Sequence, residues 1–166
     1  MNDDNLGNFF NADDFGDEEE DTEGWKPLKV YGNALFKKAI SILNLTQSLS
    51  DILPDNDKAD ITKELMLHNA MTTPKKVKAA IEVDEIYSMV MEQAVLIKIN
   101  MVELRIDLWA CVALHGVDLK YVEVLKNEIE EFRKIFVKWV ANFEKESDFP
   151  DEWHLFNNPS DFPDNN

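Results

Sequence analysis

Apolar residues recur at spacings of three and four along most of the middle of the chain, the period of helices that bury one face. Leu35, Ala39, Ile42, Thr46, Leu49 and Leu53 mark a first helix over 33–53, with Asn33 after Gly32 as its start and Pro54 as its stop. A second begins near Asp57, whose carboxylate and that of Asp60 suit the positive end of a helix, and carries Ile61, Leu65, Met66 and Ala70. At Thr72-Thr73-Pro74 it either kinks or gives way to a new helix capped by Thr73.

The third segment, 84–115, is apolar on more than one side. One stripe is Ile86, Val90, Gln93, Ile97, Asn100, Leu104, Leu108 and Cys111. A second is Val95, Ile99, Val102, Ile106, Trp109 and Ala113. Two stripes call for two covering layers. Either neighbouring helices bury both, or the second meets other copies of the chain. Gly116 suits a left-handed helix end and Asp118 an N-cap, so a fourth helix follows at once and runs to about residue 146. Val122, Leu125, Ile129, Phe132, Phe136, Trp139 and Phe143 give it a coiled-coil-type heptad seam. Short links between long helices make neighbours antiparallel. The predicted fold is all-α, an antiparallel up-down four-helix bundle over 25–147 with disordered acidic tails at 1–24 and 148–166.

Mapping the charge changes the picture. The 166 residues carry a formal charge of −16, but 1–24 hold ten acids and 148–166 hold five, with no lysine or arginine in either. The body keeps 18 acids against 17 bases. The tails also carry aromatics: Phe9, Phe10 and Phe15 in the first, and in the second Phe149, Trp153, Phe156 and Phe162, within a twice-used Asp-Phe-Pro-Asp. Such segments suit docking on the bundle, on a neighbouring copy or on a protein partner. No apolar run reaches the roughly 20 residues of a membrane span. The opening Met-Asn-Asp-Asp does not resemble a secretory leader and Cys111 is the one cysteine, so a cytoplasmic location without membrane or disulfide is expected.

Little in the chain carries chemistry. Glu64 and His68 share a helical face, but no Glu-x-x-His occurs, and His68, His115 and His154 supply zinc poorly. Gly-x-Ser-x-Gly and phosphate-loop patterns are missing. No catalytic, cofactor or metal residue is assigned. One cluster stands out: folding the first two helices back on each other places Lys37 and Lys38 opposite Lys75, Lys76 and Lys78. Read functionally, it is a patch for RNA, DNA or the acidic tails. Read plainly, it complements a helix C-terminus and keeps the surface wet.

Over about residues 30–145 the chain resembles the four-helix-bundle family of ribosomal RNA intervening-sequence proteins, which includes the accessory protein of diversity-generating retroelements. The resemblance lies in Ala70 before Thr72-Thr73-Pro74, in the run from Lys75 to Ala80, in Glu103-Leu104, and in Ala113-Leu114-His115-Gly116. Family members usually follow that proline with Asn-Ile-Ala-Glu-Gly and tend to be basic, where this chain has lysines and is acidic overall. The resemblance implies a ring-like homo-oligomer, often a pentamer, without enzymatic activity and associated with nucleic acid. The reading is a non-enzymatic homo-oligomeric scaffold. Its alternative is a protein-interaction adaptor working through its tails.

Overall fold

The computed structural model describes residues 26–162. Among them are four α-helices, one short 3-10 turn and no strand: α1 (Pro27–Asp51), α2 (Asp57–Glu82), α3 (Tyr87–Ala113), α4 (Leu119–Val140) and the turn Pro159–Asp161. The acidic segment 1–24 lies outside the described residues.

Each helix starts and stops for a local reason. Pro27 opens α1 at a position where a missing N–H costs nothing. That is six residues earlier than the sequence pattern suggested, because Gly32 is a buried contact and not a start signal. A β-carbon there would meet Ile81 Cγ1 at 2.8 Å and Trp139 Nε1 at 3.5 Å. The buried stripe extends back through Gly32 to Leu28. Asn56 caps α2, its side-chain oxygen accepting the Ala59 N–H at 3.1 Å. Pro74 leaves α2 unbroken. Of the two expectations, division into a new helix capped by Thr73 does not hold: the Thr73 hydroxyl instead donates to the Asn69 carbonyl at 3.0 Å just before the proline. Gly116 takes φ +66°, and the Val117 N–H donates back to the Cys111 carbonyl, closing α3 as its glycine foretold. Asp118 then caps α4 by accepting the Lys120 N–H. The fourth helix ends at Val140, short of 146, although Phe143 still packs edge-on against Trp139 with centroids 4.6 Å apart.

All four helices contribute to one core. Its largest fully buried side chains include Trp139, Phe132, Leu35, Ile42, Met66 and Ile97. The Thr62 hydroxyl meets His115 Nε2, Met66 meets Cys111 and the Asn69 amide meets Asp107, so residue number rises along α2 as it falls along α3. Gly32 touches Ile81 and Trp139, and Lys38 and Ser41 reach Glu128, so α1 lies between α2 and α4. Where α3 adjoins α4, the packing is the loosest of the four helix pairs.

The chain after α4 corrects one expectation. Residues 148–162, taken from composition as disordered, form a hydrogen-bonded hook against the start of α3. Ile86, the N-cap position of α3, offers no side-chain cap. Asp148 supplies one from 60 positions away, accepting the Ser88 N–H at 3.2 Å and the Ser88 hydroxyl at 2.7 Å. The Tyr87 N–H donates to the Ser147 carbonyl. These are the free amides that every helix start must satisfy. Composition counted Asp148 as a charge; its position makes it a cap.

Candidate functional site

The outward face of α3 exposes a run of large apolar side chains. Its first stripe is core, with Val90, Ile97, Leu104, Leu108 and Cys111 buried and Gln93 and Asn100 half-buried. The second stripe faces outward along its whole length. Val95, Ile99, Val102, Ile106 and Ala113 are exposed, and Trp109 is 64% exposed. Among the described residues no other helix covers it. The reason is spacing: five residues separate Ile97 from Val102, and a helical wheel puts them on different sides.

Beside this face the loose α3–α4 pair leaves a groove of about 710 Å³. Met101, Ile129, Phe132 and Phe136 form its apolar floor. Lys98, Arg105, Lys126 and Arg133 stand on its rim with Glu130. Arg133 is held by Glu130 through two bonds of 2.6 and 2.7 Å, and Lys126 by Glu123 at 3.2 Å. Lys98 and Arg105 make no ion pair among the described residues. The groove escaped sequence reading, because its apolar floor is the heptad seam of α4, which periodicity assigns wholly to core.

The lysine cluster is divided. Lys38 turns to the α4 side and pairs with Glu128 at 3.0 Å. Lys78 pairs with Glu82 at 3.4 Å. Lys37, Lys75 and Lys76 make no ion pair among the described residues. A carboxylate of α4 thus takes one member out of the expected patch, since Lys38 lies on the face α1 turns to α4.

The hook is the other feature sequence reasoning missed. Asp151, itself little exposed, accepts the N–H groups of Trp153 at 2.9 Å, Leu155 at 2.8 Å and Phe156 at 3.4 Å. The Asn157 side chain accepts the Asp151 N–H and donates to the Asp148 carboxylate and the Phe149 carbonyl. His154 sits at φ 54° in the turn. Trp153 projects from this frame 91% exposed, and Leu155 65%. Asp151 with Trp153 two residues on was the available signal, since aspartate commonly accepts the N–H two positions ahead.

Several titratable groups of the hook and of α3 are shifted by their surroundings. The Trp153, Leu155 and Phe156 amides hold the Asp151 carboxyl below the usual carboxylate range, with His154 adding to the effect. Partial burial pushes Asp148 up, but bonds from the Ser88 hydroxyl, the Asn157 amide and the Ser88 and Phe149 N–H groups outweigh it and bring it low. Burial pushes Asp107 up, against the Asn69 amide. The Cys111 thiol, buried against Met66, is pushed up to about 11 by burial and by nearby Asp107. Such a thiol is a poor nucleophile at neutral pH. Glu64 and His68 are exposed. Among the described residues no three His, Cys, Asp or Glu side chains gather as metal ligands would, and no helix is long and apolar enough to cross a membrane.

Comparison with known proteins finds no matching family model, no matching curated protein and no matching solved structure.

Proposed function

We propose that this protein is a non-enzymatic, cytoplasmic scaffold, an antiparallel up-down helical bundle that assembles with copies of itself through the outer face of α3. One observation carries the reading: Val95, Ile99, Val102, Ile106, Trp109 and Ala113 form a continuous apolar stripe that stays exposed among the described residues. It spans 19 residues of helix, about 27 Å at the usual rise. Exposed apolar residues are ordinary when scattered, but an aligned stripe with a tryptophan in it is the pattern of an interface. Closed rings of several copies, pentamers among them, are the assemblies this reading favours, in line with the resemblance to intervening-sequence proteins. Association with RNA or DNA is its subordinate part, supported by Lys37, Lys75 and Lys76 near one bundle end.

The test is absolute mass in solution by light scattering during size-exclusion chromatography. Wild type is expected at several times 19.2 kDa, and an Ile99→Glu/Ile106→Glu chain at the monomer mass. A monomeric wild type would overturn the reading. The adaptor alternative has the exposure of Trp153 in its favour, and it gains if loss of residues 148–166 abolishes capture of another protein while leaving the mass per assembly unchanged.

A further inference from the structure

We infer that the hook of one copy seats Trp153 and Leu155 in the α3–α4 groove of a second copy. The inference rests on the self-assembly reading above and names the two surfaces that would meet. The groove has an apolar floor and a cationic rim, so the occupant it fits is an apolar knob flanked by acids. The hook is that object. Residues 148–162 hold four acids and no lysine or arginine, and Glu152 stands beside Trp153. On the groove side, Lys98 and Arg105 are the rim cations with no ion pair among the described residues.

Size and stiffness agree. A groove of about 710 Å³ falls among clefts that hold compact apolar ligands. Three amides tied to Asp151 hold the hook in shape before any contact, so little ordering remains to oppose binding. The knob does not fill its own groove. Asp148 fastens the hook to Ser88 at the start of α3, while the groove begins ten residues further on at Lys98, and Trp153 stays 91% exposed in the chain that carries it. A second copy is therefore the occupant. Val102 belongs both to the groove lining and to the α3 stripe, so the hook contact continues the proposed interface. Knob and hole are different surfaces, which makes the contact heterologous. Repeated head to tail, such a contact closes into a ring or grows into a filament.

Mixing tests it, with full-length chains throughout. One variant, Trp153→Ala/Leu155→Ala, lacks the knob; the other, Lys98→Glu/Arg105→Glu, has a reversed rim. By light scattering, each alone should need a roughly thirtyfold higher concentration than wild type to assemble, the loss of a buried aromatic anchor. Mixed in equal amounts, they should form 1:1 pairs where neither assembles alone, because one knob and one groove survive. That rescue also certifies that both variants fold. If the knobless chain keeps the wild-type mass while the Ile99→Glu/Ile106→Glu chain is monomeric, the hook inference fails and the scaffold reading stands. Failure of the mixture to pair likewise overturns the hook inference. Assembly that survives loss of the knob but not of residues 1–24 would give the groove to the Phe9–Phe10–Phe15 segment instead. A monomeric wild type rejects both the hook inference and the scaffold reading.

Discussion

Gly32 shows how much one missing atom can decide. It sits in the buried stripe of α1 where Ile81 of α2 and Trp139 of α4 converge, with room for a hydrogen and not for a methyl group. Gly32→Val should destabilise the fold by about 1–3 kcal/mol in urea unfolding, because overpacking forces its neighbours off their preferred rotamers. Asp107 makes a second residue-scale case. Burial raises its pKa above the ordinary value, so the folded chain holds a proton more tightly than the unfolded one. Its contribution therefore favours folding as pH falls towards the ordinary aspartate range and opposes folding above its raised value. Asp107→Asn should stabilise the protein at neutral pH and flatten that part of the stability–pH curve. Cys111, buried and with its thiol pushed up to about 11, should react with a thiol reagent at pH 7 only as fast as the protein unfolds. Prompt modification of folded protein would contradict its burial.

At the scale of elements, the hook and α3 form one unit. Two aspartates make it so. Asp148 caps the helix, and Asp151 gathers three amides of the turn. Both have lowered pKa values, so what they contribute is complete above the ordinary carboxylate range and is lost as pH falls through their depressed values. Hydrogen exchange should find the Trp153 and Leu155 amides protected at pH 5 to 7 and released only in stronger acid. Asp151→Ala should abolish that protection at every pH while leaving the melting of the four helices nearly unchanged, since no helix of the core depends on those amides. Asp148→Ala should also fray α3, at about 0.5–2 kcal/mol, the usual cost of a lost cap.

For the whole molecule, the unequal packing of its four helices matters most. The pairs α1–α2, α2–α3 and α1–α4 close tightly, while α3 and α4 part enough to leave a groove. Beside it lies an exposed apolar helix face, and at one end a rigid exposed tryptophan. Surfaces of that kind on one chain favour association with like chains. The expected solution behaviour is an assembly whose mass falls on dilution and whose stability rises with chain concentration, because partner binding stabilises the folded state by mass action. Salt should weaken it modestly, through screening of the acidic hook against the cationic rim.

Periodicity by itself determined the approximate helical spans and the core stripes, and left the helix count open at Pro74. Burial follows spacing, and Leu35, Ile42, Leu104, Leu125 and Phe132 are core for that reason. It also separated the two stripes of α3, and local signals marked Gly116 and Asp118 as ends. What spacing could not carry is distance between remote residues. Only tertiary structure decided that Gly32 is a packing position and not a start, because its neighbours lie on α2 and α4. The same holds for Pro74, which stays inside a continuous α2. Lys38 left the lysine cluster because Glu128, 90 positions away, sits within 3.0 Å of it. The hook is the plainest instance: acids and prolines read as a solvated tail until a helix start without a cap lies beside Asp148, where a carboxylate is worth more than it is in water.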